Sequence, residues 1–317
     1  MDRKIDNCNI LITGGAGFIG SNLARHLLSS YKPKNIYIVD NLFLGKIENI
    51  PSDPKIHMIV DDVEIFSSIE SIIENHKIDI VFNMATKALN YSFVNPRNAC
   101  DTNINVILNL LELQKRGAFK TLCHFSSSEV YGTAIYEPMD ENHPFNPTTT
   151  YAAGKASADL ILKSYVETFS IDAFILRPFN NFGPYQNWKG PLAGIIPRTI
   201  DRLNSGLKPQ LYGNGEQKRD FIYVEDTVNY ALDLFFKVYP GEEVNISTEN
   251  VISMSELIHQ IVKIMKKNPD IEYMDKRVSD VELHIASTDK LKKLTDLKST
   301  DFDVALNQTI NWYLKVL

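Results

Sequence analysis

A chain of 317 residues allows one large α/β domain, or a large domain with a smaller lobe, and 44% apolar with 23% charged residues suits a globular protein rather than a disordered one. A net charge of −6 without a basic tract excludes the electrostatic footprint of a nucleic-acid binder. The separated Cys8, Cys100 and Cys123 fit neither a disulfide framework nor a zinc spacing, the start is too charged for a signal peptide, and no apolar run nears the ~18 residues of a membrane span, so a reduced, cytoplasmic protein without metal or membrane is expected.

Residues 9–13, 35–39, 56–60, 78–83 and 121–126 are short runs rich in Ile, Val and Phe, several of them almost wholly apolar. Such runs read as parallel strands buried on both faces. Between them, residues 18–30, 64–76 and 97–116 carry helical patterns, the last ending at Gly117, a plausible C-cap. Strand and helix in alternation predict an α/β, doubly wound parallel sheet of the Rossmann type. A further helix at 150–169 leads into a strand at 172–176. Residues 178–220 hold Pro178, Pro184, Pro191, Pro197 and Pro209 and read as loop with one helix at 195–205. Helices at 224–236, 255–267 and 304–317 are expected to form a smaller lobe over the carboxyl edge of the sheet. The division is therefore a dinucleotide domain at 1–177 and a mainly substrate-binding lobe at 178–317, with the chain crossing between them.

Between the first strand and the first helix stands Thr13-Gly14-Gly15-Ala16-Gly17-Phe18-Ile19-Gly20. Gly14, Gly17 and Gly20 suit a tight turn that lets the backbone approach a pyrophosphate. The helix N-terminus, at Phe18 and Ile19, offers free N–H groups and a favourable dipole to that anion. Asp40 follows Gly20 by twenty residues and ends the second strand, where a carboxylate takes the ribose hydroxyls. An acid there repels the extra phosphate of NADP, and Asn41-Leu42-Phe43 offers no arginine, so NAD is the expected cofactor. Asp62 and Val63, after the third strand, stand where an adenine is held, though an ordinary loop aspartate is the competing reading.

Tyr151 and Lys155 are four residues apart at the start of a helix, which puts them on one face. A nearby ammonium favours a phenolate, so Tyr151 is expected to have a lowered pKa and to take a proton from a sugar hydroxyl. Ser126-Ser127-Ser128, at the end of the fifth strand, supplies a hydroxyl to orient the substrate. None of the seven histidines forms a metal spacing, and His124 reads as a structural histidine.

Together with Ser-Ser-Ser-Glu-Val-Tyr-Gly at 126–132, Arg-Pro-Phe-Asn-Asn-Phe-Gly-Pro at 177–184 and Arg-Asp-Phe-Ile-Tyr-Val-Glu-Asp at 219–226, these residues resemble the extended short-chain dehydrogenase/reductase family, specifically its nucleotide-sugar epimerases and dehydratases. The resemblance runs over residues 9–313. It implies Tyr151 as base for the C4 hydroxyl, Lys155 on the nicotinamide ribose and Ser127 on the reacting oxygen, with Ser128 beside it in the catalytic set. It likewise implies Ala85 on the cofactor and Asn180 and Arg219 on the sugar-nucleotide diphosphate. Competing structural roles are a turn cap for Asn180 and a surface ion pair for Arg219. The loop Asn83-Met84-Ala85-Thr86-Lys87-Ala88 departs from relatives that carry histidine first, so no role is transferred to Lys87, Tyr91 or Ser92. Tyr185 stands where many relatives carry arginine.

Glu129 matches the glutamate that removes the C5 proton in 4,6-dehydratases of the family, a residue that nucleotide-sugar decarboxylases share; pairing with a nearby lysine is its structural alternative. The expectation is an NAD-dependent enzyme that oxidises a nucleotide-diphosphate sugar at C4 and dehydrates it. A 4-epimerase, a C4 dehydrogenase that stops at the ketone, a decarboxylase and a non-catalytic NAD-binding regulator are the alternatives. The family's helix pairing implies a homodimer.

Overall fold

The computed structural model describes residues 2–275 and 283–317. Asn9–Thr13 (β1), Phe18–Ser30 (α1), Asn35–Asp40 (β2), Ile56–Val60 (β3), Phe66–His76 (α2), Ile80–Asn83 (β4), Pro96–Lys115 (α3), Thr121–Phe125 (β5), Thr150–Phe169 (α4) and Asp172–Pro178 (β6) follow one another in the first half. Local chemistry sets the ends of the two long helices. Asn95 accepts from the Asn98 N–H with Pro96 in the first turn of α3, and Thr149 accepts from the Ala152 N–H at the head of α4. Ser170, in the left-handed region, closes α4 by donating its N–H to the Val166 carbonyl.

The second half forms Asn180–Phe182 (β7), Ile195–Asn204 (α5), Gln210–Tyr212 (β8), Lys218–Tyr223 (β9), Val224–Leu234 (α6), Glu243–Ile246 (β10), Val251–Ser253 (β11), Met254–Ile264 (α7), Glu272–Met274 (β12), Leu283–His284 (β13), Asp289–Leu294 (α8) and Phe302–Val316 (α9). The main sheet has seven strands in the order β10-β6-β5-β4-β1-β2-β3, each neighbouring pair parallel. The doubly wound architecture is therefore as expected. Strand order reverses at β1, between β2 and β4, and ligands of such sheets bind outside the carboxyl ends at that point.

Two expectations are corrected. The 224–236 helix does not join the smaller lobe: Val228, Leu232 and Phe235 pack in one core with Leu23 and Leu27 of α1. The chain then adds β10 to the sheet beside β6. Residues 178–220 are also more than loop with one helix, since β7 and β9 pair in parallel there and β8 pairs with β12. Strands of three or four residues carry too little pattern to be read before their partners are known. The opposite face of the main sheet is covered by Ile69 and Ile73 of α2, Val106 and Leu110 of α3 and Leu162 of α4. A third core, with Phe182, Ile196, Phe221, Leu257 and Leu306, belongs to the smaller lobe. Among the described residues no helix is long and apolar enough to cross a membrane.

Candidate functional site

One cavity of about 590 Å³ runs from the glycine turn after β1 to the smaller lobe, a volume within the range of ligand sites. At its cofactor end, Gly14 has φ +67°, and a Cβ there would come within 2.9 Å of the Ala85 backbone. At Gly20 a Cβ would meet the Gly14 carbonyl at 2.7 Å, so this glycine lets helix and turn close on each other. Gly17 caps α1 with no side chain, and no acid occupies the first helical turn, which leaves the N-terminal N–H groups of Phe18 and Ile19 to an anion on the cavity wall.

Asp40 lies on the same wall, its carboxylate accepting from the N–H groups of Ala16 (3.1 Å) and Leu42 (2.8 Å). Burial holds its pKa above the usual carboxylate range, against those hydrogen bonds. A Cβ at Gly45 would sit 2.6 Å from its oxygens, so Gly45 keeps the space over the carboxylate open, a residue the sequence reading did not single out. Asn41 donates to Asp62 Oδ2 at 3.0 Å, which ties two expected cofactor residues together beside Val63. A diphosphate cradle without side chains, an acid for ribose hydroxyls and no arginine beside it fit NAD. Asp40→Ala is expected to weaken NAD binding by on the order of 1–3 kcal/mol, read by calorimetry. An unchanged affinity, or tighter binding of NADP than NAD by the unaltered protein, would contradict this assignment.

Ser127, Glu129, Tyr151 and Lys155 meet on the cavity wall. Tyr151 is hydrogen-bonded through its side chain to Ser127 and to Thr86, and its backbone N–H donates to Ser92 Oγ at 3.1 Å. Thr86 and Ser92 were not expected here, because the loop after β4 departs from the familiar pattern. Burial pushes the phenol up to about 12, and the charge of Glu129 adds to the rise, while the Ser127 bond opposes it. This corrects the expectation of a lowered pKa. Lys155, one helical turn on, donates to the Phe125 carbonyl at 2.8 Å and is itself held down to about 8 by burial. Ser128 is not brought to this wall. The turn at Ser128–Tyr131 buries it, and its carbonyl accepts from His284 Nε2 at 3.0 Å. His124 is a buried structural histidine, with Nδ1 3.0 Å from Asn83 Nδ2.

Toward the smaller lobe, Asn180 donates to the Asp220 carbonyl at 3.0 Å, and Arg219 is mostly buried on the wall beside it. His284 is wholly buried between the Ser128 carbonyl and Arg219, and burial depresses its pKa from 6.5 to about 3. The unfolded chain therefore binds a proton that the folded chain refuses between those two values, so the neutral His284 costs stability as pH falls below 6.5. Relative to His284→Gln, the protein should lose about 1.4 kcal/mol of stability per pH unit in that window. Urea melts of both proteins across the window check this; parallel pH dependences would refute it. Among the described residues no group of His, Cys, Asp and Glu could hold a metal ion.

A family model described as GDP-mannose 4,6 dehydratase matches residues 11–312. The chain is 28% identical to dTDP-D-glucose 4,6-dehydratase of Bos taurus, over 96% of this chain and 88% of that protein. The crystallised UDP-N-acetylglucosamine 4-epimerase from Methanobrevibacter ruminantium M1, in complex with UDP-N-acetylmuramic acid, superposes with a TM-score of 0.90 at 31% identity, over 98% of this chain and 100% of that one. For dTDP-glucose 4,6-dehydratase from Bacillus anthracis str. Ames, in complex with NAD, the TM-score is 0.86 at 29% identity, over 97% of each chain.

Proposed function

The chain belongs to the extended short-chain dehydrogenase/reductase family, in its NAD-dependent nucleotide-sugar dehydratase and epimerase branch, and on that premise we propose that it is a nucleotide-sugar 4,6-dehydratase. The observation that carries this reading is the position of Glu129. It lines the cavity close enough to Tyr151 for its charge to raise the phenol's pKa. The other carboxylates on the described wall, Asp40, Asp61, Asp62 and Glu64, stand at the ends of β2 and β3, where the cofactor is expected.

NAD, when bound, supplies the hydride acceptor at C4 and the hydride donor at C6. Gly14, Gly17, Phe18, Ile19, Gly20, Asp40, Asn41, Asp62, Val63 and Ala85 would hold it, with Lys155 on its ribose. Tyr151 Oη takes the proton of the C4 hydroxyl, and Ser127 orients that hydroxyl. Glu129 takes the C5 proton and passes it to the departing C6 oxygen, which leaves as water; as hydride returns to C6, C5 takes a solvent proton through Glu129, and Tyr151 releases the C4 proton to solvent. Ser128 has no part in this scheme, since its side chain is buried away from the wall. Asn180 and Arg219 bind the diphosphate, an amide and a guanidinium being suited to its oxygens. Burial favours the neutral phenol, up to about 12, and lowers the ammonium to about 8, so below that value the resting site holds Tyr151 as a phenol and Lys155 as an ammonium.

The similarity to a 4-epimerase favours a second reading, in which Tyr151 and Ser127 act alone and Glu129 only positions the sugar. The test is the fate of a panel of UDP-, GDP-, CDP- and dTDP-hexoses, with the products identified by mass. For the assembly we propose a homodimer through α3 and α4, which lie side by side and leave Leu160 58% exposed. Light scattering should give twice the chain mass of 36.0 kDa at micromolar concentration, and a monomer would exclude it.

A further inference from the structure

Behind the cavity lies a charged cluster that the proposed chemistry does not use. Asp159 and Arg177 are wholly buried, and Arg177 Nε donates to Asp159 Oδ2 at 2.8 Å. Arg177 Nη1 donates to the Tyr131 hydroxyl at 2.8 Å, lies 3.7 Å from Glu243 Oε1, and Tyr131 in turn donates to Asn245 Oδ1 at 2.9 Å. Asp159 Oδ1 lies 3.8 Å from His124 Nε2. His124 is tied through Asn83 to Thr13 Oγ1, which accepts from the N–H groups of Met84 and Ala85 beside the glycine turn. Isolated ions are expelled from such an interior unless compensated.

Lys155 is the other cation here. It lies one turn before Asp159 on α4, 2% exposed, with the Phe125 carbonyl as its hydrogen-bond acceptor. A carbonyl satisfies an N–H but does not balance a charge. The charged or titratable groups that act on the ammonium are Asp159, one turn further along α4, and His124 on β5, while Glu243 on β10 bonds Arg177 and Lys163. Resting on the reading that Lys155 works with Tyr151, we propose that Asp159 is a positioning residue that serves as counter-ion to both Arg177 and Lys155 and so keeps Lys155 an ammonium behind the tyrosine. Charge counting agrees. Glu243 is already shared between Arg177 and Lys163, which leaves Asp159 as the carboxylate for Arg177 and Lys155, provided that His124 is neutral. Burial first, then Lys155 and Arg177, hold the His124 pKa well below 6.5, so it is. Among the described residues, Asp159 is the group whose charge raises Lys155 against the burial that lowers it.

The test is the titration of Lys155 itself in the cofactor-free protein, with lysine labelled with ¹³C at Cε and the resonance assigned by its loss in Lys155→Met. Asp159→Asn should lower the inflection so that the acid dissociation constant rises tenfold or more, and Asp159→Glu should restore it. If Asp159→Asn does not fold because Arg177 is left unpaired, Asp159→Asn/Arg177→Met is read against Arg177→Met alone, so that the difference reports the carboxylate. A change of less than threefold, with or without a fall in Tm, makes Asp159 a structural residue only and overturns the proposal. Turnover by Lys155→Met separates the two ideas. If that variant keeps full activity, the catalytic reading of Lys155 fails, while the shift in its titration still measures the counter-ion.

Discussion

Replacing Tyr151 by phenylalanine is expected to lower turnover of a nucleotide hexose by about 10²–10⁴-fold with the fold and the affinity for NAD retained. The ring is packed against neighbours that the substitution leaves in place, and its backbone N–H still reaches Ser92. What is lost is the hydroxyl held by Ser127 and Thr86, the group proposed to take the C4 proton. Stopped-flow or steady-state turnover, with circular dichroism and NAD calorimetry on the same preparation, checks each part. Turnover within tenfold of the unaltered protein would mean that another group removes the proton.

Glu129→Gln is expected to have the second large effect and a more selective one. A carboxamide keeps the shape of the side chain but accepts no proton at neutral pH. Loss of water should fall by about 10²–10⁴-fold, the usual worth of a positioned general base, together with incorporation of solvent deuterium at C5. Oxidation at C4, seen as reduced-nicotinamide absorbance with bound sugar, should persist. A variant that still dehydrates would assign the C5 proton to another residue; one that loses C4 oxidation as well would place Glu129 in substrate positioning.

The features legible from sequence are those written in local pattern. Buried apolar runs alternate with helical stretches from residue 9 to 178, and β1, α1, β3 and α4 stand at their expected bounds. The glycine turn is legible because a strand precedes it and a helix follows. Four-residue β10 was missed because its meaning lies in pairing with β6, whose partner residues are nearly seventy positions away. Sequence also treats Ser126, Ser127 and Ser128 alike, whereas the turn after β5 puts the first two on the cavity wall and buries the third. The spacing of Tyr151 and Lys155 was read correctly as one helix face, but spacing carries no information on solvent. Removal of water decides the Tyr151 pKa and reverses the expected direction. Thr86 and Gly45 were missed because a lone threonine or glycine in a loop gains its role only from what the fold brings against it.

The product of the unaltered protein, incubated with NAD and the hexose nucleotide it turns over, tests the central claim most directly. Mass analysis should find a product lighter than the substrate by one water, with solvent deuterium at C5 when the reaction is run in D₂O. An isomer of unchanged mass, or a product lighter by two hydrogens only, would contradict 4,6-dehydration and leave Glu129 as a residue that positions the sugar.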